Sequence, residues 1–306
     1  MIVAVALNAA LDVAYAAADL SWQATRDVSR AHHRAGGRGV AVARVLHTFG
    51  HEVLAAGLAG GATGELIRED LGRSGIPVAF TEIGRESRRV LEITDTALGR
   101  TMRLREPGPY VTTEELGRFA GDYRRLLAGA AAVVLCGTLP AGLPPEIYGS
   151  LATWAAEAGV PVILSAGGSA LRHAVPRRPD LVVPDAAGDG DAETGDAGAL
   201  LRLGASAVAI PSGSQVAVVS KAGYWTASLP AAGEGTPARA RHAGAGGAES
   251  LGALVAGLVP GLLLGWSWPD LLQHAVAVAA AADPSGDVNL AVYERLVDTV
   301  SVRAAG

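Results

Sequence analysis

The chain has 306 residues, half of them hydrophobic, a formal net charge of −5 and a single cysteine. That length supports one large α/β domain, or a domain with a small appendage. The acidic balance excludes a general nucleic-acid binder, which would carry a basic face, and one cysteine excludes an intrachain disulfide and fits a cytoplasmic protein.

Met1–Leu7 lacks a basic leader segment and reads as a buried strand, not a signal peptide. In chain order, apolar β-branched runs predict strands at residues 3–7, 53–57, 132–135, 160–164, 180–183, 207–210 and 215–219. Helical patterns fall at 39–49, 64–74, 113–128, 145–158, 197–203, 250–264, 269–281 and 288–300. This alternation predicts a mostly parallel sheet flanked by helices. Residues 12–34 and 88–105 break the rhythm. Their alternating polar pattern predicts strands of a small separate β-sheet, a lid over a main α/β domain made of residues 1–11, 35–87 and 106–306. Two Gly- and Ala-rich loops are expected at 186–196 and 231–247. The apolar run at 251–266 is short for a membrane span and contains Pro260, so a buried helix is expected and no membrane partner.

Three segments carry chemistry. Asn8-Ala9-Ala10-Leu11-Asp12 follows the first strand, and a carboxylate at the C-terminal end of a parallel strand sits where α/β ligands bind. Asp12 could accept hydrogen bonds from sugar hydroxyls, or serve a turn or helix cap. Ala35-Gly36-Gly37-Arg38-Gly39 opens a helix. Its glycines permit close backbone approach, and Arg38 could clamp a phosphate. In the third, His242-Ala243-Gly244-Ala245-Gly246-Gly247-Ala248-Glu249-Ser250, a Gly-Ala-Gly turn runs into an apolar helix, a junction that favours an anion. Phosphoryl transfer calls for a carboxylate straight after such a turn. Gly247 stands there, and the nearest acid is Glu249, read either as a displaced base or as a helix-dipole cap.

Other residues call for plainer roles. His32 and His33 lack partners at zinc-ligand spacing, Cys136 reads as a small core residue, and Trp266 and Trp268 as packing residues. The acids Asp189, Asp191, Glu193 and Asp196 lack the ligand spacing of a calcium loop, so no metal site is assigned.

Taken together, the motifs resemble those of the PfkB carbohydrate kinases of the ribokinase fold, in the branch of 1-phosphofructokinase and tagatose-6-phosphate kinase. That branch has Asn-Pro-Ala-Leu-Asp where this chain has residues 8–12. It has Gly-Gly-Lys-Gly-x-Asn-Val-Ala-Arg-Val-Leu where this chain has 36–46. Gly60-Gly61-Ala62-Thr63-Gly64, Ser87-Arg88, Glu106-Pro107-Gly108-Pro109 and Gly137-Thr138-Leu139-Pro140-Ala141-Gly142-Leu143-Pro144 follow in the same order. The resemblance implies a substrate site made of Asp12, Gly36, Gly37, Arg38, Arg88 and Thr138. In it Asp12 holds sugar hydroxyls, Arg88 meets the existing phosphate, and Arg38 replaces a phosphate-binding lysine. Ala41 replaces an asparagine that binds the sugar.

The same resemblance implies ATP and magnesium, yet the donor half departs from the family pattern. Lys-Pro-Asn-x-x-Glu becomes Val183-Pro184-Asp185-Ala186-Ala187-Gly188, placing Asp185 where ATP brings its own negative charge. The nucleotide loop keeps Ser212 and Gly213, but its last glycine is Val216, expected to crowd a phosphate. The anion hole, Gly244, Ala245 and Gly246, is followed by Gly247 in place of the aspartate base. Three functions are compatible with this pattern. The first is a sugar-phosphate binder with weak or lost phosphoryl transfer. The second is an active kinase using Glu249, and the third a structural partner of a related kinase. The resemblance also implies a homodimer through the lid, where Val13, Tyr15 and Trp22 either make the contact or cover the lid's inner face.

Overall fold

The computed structural model describes residues 1–23, 25–28, 30–185, 196–229, 248–283 and 285–305. The expected loops at 186–196 and 231–247 lie outside the described residues, except Asp196.

Ten strands form the large sheet. Its parallel part comprises β1 (Ile2–Ala6), β4 (Val53–Ala59), β5 (Val78–Glu82), β8 (Ala132–Cys136), β9 (Val162–Ser165), β10 (Leu181–Val182) and β11 (Ala207–Ser212). An antiparallel edge adds β12 (Gln215–Ser220), β13 (Gly223–Ser228) and β14 (Ser301–Ala305). The order across the sheet is β14-β13-β12-β11-β10-β9-β8-β1-β4-β5. A second sheet, ordered β3-β2-β6-β7, uses β2 (Ala10–Ala17), β3 (Arg30–Gly36), β6 (Arg88–Asp95) and β7 (Arg100–Arg105). It arises from the two segments whose alternation departed from the main pattern, with β2 and β3 each reaching two residues further into the flanking motifs.

The pleat of β1 shows how the core divides. Ile2, Ala4 and Ala6 join one buried cluster, and Val3 and Val5 join the other, because successive strand residues face opposite ways. The first cluster packs under α1 (Arg38–Thr48), α2 (Gly61–Arg73), α7 (Ala248–Leu264) and α8 (Trp268–Ala281). The second packs under α3 (Thr113–Leu127), α4 (Ile147–Glu157), α5 (Gly168–Ala174) and α6 (Ala197–Leu203). Gly39 lets α1 lie directly on β1: a Cβ there would come within 2.7 Å of the Val5 carbonyl oxygen. The α7 helix continues through Pro260, enclosed between α1 and α8. Among the described residues no helix is long and apolar enough to cross a membrane.

Sequence patterning misses β5, α5, β13 and β14. The first two are short, and β14 is a five-residue segment of mixed polarity that pairs with β13 at the sheet edge. The last helix, α9 (Leu290–Val297), is shorter than its pattern at both ends, and its start is set by the Asn289 side chain, which accepts from the Val292 N–H at 3.2 Å. Val216 also differs from expectation. It sits one residue into β12 with its side chain in the core, while Ser212 and Gly213 belong to the exposed hairpin turn before it. Gly213 takes φ +58° there, as the first central position of a tight hairpin requires. Val13 is buried and Tyr15 packs against the same core, whereas Trp22 is fully exposed. Trp268 stacks on Trp225 with ring centroids 6.0 Å apart, and Trp266 meets His274 edge-on.

Candidate active site

The polar residues singled out by motif converge at the C-terminal ends of the parallel strands. Asn8 follows β1, Thr138 follows β8 and Asp185 follows β10. Loops at this end of an α/β sheet are where ligands bind, because the strands present their chain reversals there.

Asn8 links several of these residues, a role its sequence motif did not reveal. Its Nδ2 donates to Thr138 Oγ1 at 3.1 Å, and its backbone carbonyl accepts from Arg88 Nε at 3.3 Å. Gly108 of the Glu-Pro-Gly-Pro motif leaves room for it, since a Cβ there would lie 2.7 Å from Asn8 Oδ1. That Oδ1 is buried without a hydrogen-bond partner. Arg88, the first residue of β6, sits beside Ala10 in the register of the small sheet, two residues from Asp12. Burial lowers the Arg88 pKa from its usual value, Asp12 opposes that shift and Arg105 adds to it.

Asp12 lies on β2 against the end of β3. Its carboxylate occupies the space a side chain at Gly36 would need. Gly37 follows with φ +95° and starts α1, a conformation that favours glycine. Asp12, Ala35, Gly36, Gly37, Arg38, Ala41, Arg44 and Ser285 line one cleft. Two ion pairs bring its walls together. Arg34 pairs with Asp287 and donates to the Ser285 carbonyl at 3.1 Å, and Arg44 pairs with Asp70, which also accepts from the Ala35 N–H at 2.8 Å.

Arg38 departs most from its expected role as a free phosphate clamp. Its Nη2 donates to Asp185 Oδ2 at 2.7 Å, in an ion pair whose side chains are only 5% and 8% exposed. Its Nε and Nη1 are buried without a partner. The side chain passes Gly137 at the end of β8 and Gly252 in α7, where a Cβ would lie 3.8 Å from Arg38 Cβ and Cγ respectively.

The β8 end is held from below. Tyr148 of α4, fully buried, donates its hydroxyl to the Cys136 carbonyl at 3.0 Å. Burial raises the Tyr148 pKa, and it pushes the Cys136 thiol up to about 12, as suits a core cysteine. Tyr148→Phe is expected to cost about 1–3 kcal/mol, since a buried carbonyl loses its donor. Urea denaturation checks this, and an unchanged midpoint would mean that the bond contributes nothing net.

Gly244, Ala245, Gly246 and Gly247 lie outside the described residues, as do Asp189, Asp191 and Glu193. Glu249 is the second residue of α7. Asp196 caps α6, accepting from the Gly198 N–H at 2.8 Å.

A large mostly parallel sheet flanked by helices and a smaller second sheet place the protein in the ribokinase-like class of α/β folds. The chain belongs to the pfkB family of carbohydrate kinases, whose sequence model matches residues 5–223. The fold is shared with a protein described as a possible 1-phosphofructokinase from Thermotoga maritima, at TM-score 0.84 and 23% identity over 100% of this chain and 99% of that one. It is shared too with phosphofructokinase-2 from Escherichia coli. The tetrameric inhibited form of that enzyme gives TM-score 0.81 and 23% identity over 97% and 98% of the two chains. Its complex with fructose-6-phosphate gives 0.78 and 22% over 96% and 98%.

Proposed function

We propose that this chain binds a sugar phosphate in the cleft between its two sheets, within the phosphofructokinase-like branch of the family, and transfers phosphate from ATP weakly or not at all. The observation that carries this reading is a cleft lined by Asp12, Gly36, Gly37 and the buried, incompletely paired Arg38, with Arg88 two register positions from Asp12 and bonded, like Thr138, to Asn8. In this reading Asp12 takes the sugar hydroxyls and Arg88 the existing phosphate. The phosphofructokinase-2 of Escherichia coli, which shares the fold, was solved with fructose-6-phosphate. Residues 12–34 and 88–105 act in this reading as a lid, and pairing of two copies through it is part of the proposal.

Mg-ATP fits the donor side poorly. Asp185 stands at the strand end that the transferred phosphate would approach, and it already holds Arg38. An additional carboxylate beside a polyphosphate is repulsive. Loss of a general base alone lowers phosphoryl-transfer rates by about 10²–10⁴.

Calorimetric titration with fructose 1-phosphate, fructose 6-phosphate and tagatose 6-phosphate, and separately with Mg-ATP, tests the reading. A sugar phosphate should bind, and Mg-ATP should bind at least about tenfold more weakly. Tight Mg-ATP binding with turnover would replace this reading by that of an active kinase. In that event Glu249→Gln should lower kcat by about 10²–10⁴ if Glu249 is the base. Undiminished turnover would leave Glu249 as a helix cap.

A further inference from the structure

We infer that Asp185 is a built-in counter-anion for Arg38, and that it makes the cleft selective for ligands bearing a single phosphate or carboxylate over polyphosphate chains. This rests on the reading of the cleft as an anion site. It adds which anions the cleft accepts and which residue decides.

The guanidinium group offers five N–H donors on three nitrogens. Asp185 engages one of those nitrogens, Nη2, at 2.7 Å. The other two, Nε and Nη1, are buried and without a partner, on a side chain that lines the cleft with Asp12, Gly36 and Gly37. Buried N–H groups are almost always paired, so two orphans on one guanidinium mark a place where an acceptor from outside the chain belongs. A single anion entering beside Asp12 meets these free donors and does not have to displace Asp185.

A polyphosphate chain meets a different environment. The strand order β11-β10-β9-β8-β1 sets Asp185, after β10, between the β11–β12 hairpin and Arg38. A chain of phosphates laid from the hairpin toward Arg38 passes the carboxylate and competes with it for Nη2. Asp185 and Arg38 neutralise one another, so the charge that would draw in a multiply charged ligand is already spent. Asn at position 185 would keep a hydrogen-bond acceptor for Arg38 while releasing its positive charge.

The test is calorimetric titration of the full chain with inorganic tripolyphosphate and with fructose 6-phosphate, at constant ionic strength, with and without magnesium. Asp185→Asn should raise tripolyphosphate affinity by about tenfold or more, since one like charge leaves the path, and change fructose 6-phosphate affinity by less than about threefold. The double variant Arg38→Gln, Asp185→Asn should lose the gain, which locates it at Arg38. Equal tripolyphosphate affinity in wild type and Asp185→Asn overturns the inference, as does a gain that survives in the double variant. Should Asp185→Asn fail to fold, Arg38→Lys, Asp185→Asn is judged by the same comparison with wild type. If wild type binds none of the three sugar phosphates, the reading of the cleft as a sugar-phosphate site fails. The tripolyphosphate comparison then still decides the role of Asp185 by itself.

Discussion

Arg38→Ala is expected to destabilise the protein by about 3–5 kcal/mol, the usual cost of leaving one member of a buried ion pair without the other. The argument is one of desolvation. Arg38 and Asp185 are 5% and 8% exposed, so water cannot take over the role of the missing guanidinium. At the entropy of unfolding expected for a chain of this size, the loss should appear as a drop of about 5–8 °C in Tm. Removing both charges should behave differently. Arg38→Met combined with Asp185→Leu replaces the pair with apolar volume and should leave stability near or above wild type. Differential scanning calorimetry of the three proteins settles the matter. If the single variant melts with wild type, the pair is solvated in solution and the energetic case for it is lost.

Arg88→Ala should weaken sugar-phosphate binding by about 10- to 150-fold, which corresponds to one charge-assisted hydrogen bond. Arg88 is half-buried and anchored through Nε to the Asn8 carbonyl at 3.3 Å. That contact fixes one edge of the guanidinium and leaves the terminal nitrogens for a ligand. Arg88→Lys should recover part of the affinity, because it keeps the charge and loses the fork. Isothermal titration with the ligand that binds wild type most tightly gives the ratio directly. Equal affinity in wild type and Arg88→Ala for every sugar phosphate would remove Arg88 from the site and the proposed function with it. Circular dichroism of the variant separates lost binding from lost fold.

The two arginines have different surroundings although both were assigned to phosphate. Arg88 has a neutral carbonyl as its direct partner and Asp12 as a nearby charge, whereas Arg38 carries a carboxylate on its own guanidinium. The small sheet therefore offers a guanidinium, Arg88, that bonds to a neutral carbonyl, whereas the guanidinium on the side of β10 is bonded to a carboxylate. That asymmetry suits a ligand held by its own phosphate at one end and its hydroxyls at Asp12.

Much of this was legible in the sequence. Apolar runs of four or five residues separated by amphipathic stretches specify a parallel sheet with helices on both faces, because each period matches the repeat of one kind of element. The glycines at 36 and 37 announced a tight entry to α1, since that demand is local, whereas Asp12, expected at the end of a parallel strand, lies inside β2 of the small sheet. The small sheet was legible for the same reason, as alternation in two separated segments. The β13–β14 edge was not, because a short strand of mixed polarity is specified by the neighbour it pairs with.

For the site, sequence alone determined which residues were candidates, and tertiary structure decided what each one faces. Arg38 and Asp185 stand 147 positions apart, and their motifs belong to the substrate and donor halves of the site respectively. Folding joins them in one buried pair, because strand order, not chain order, sets which loops meet. The motif casts Val216 as an obstacle to phosphate, but in the fold it is a core residue, because strand pleat turns its side chain inward. Asn8 gained its importance from three neighbours contributed by distant segments, Arg88, Gly108 and Thr138. A side chain's type is a property of the sequence. Its burial, its partner and hence the charge it can offer a ligand depend on what packs around it, and only the folded chain brings those groups together.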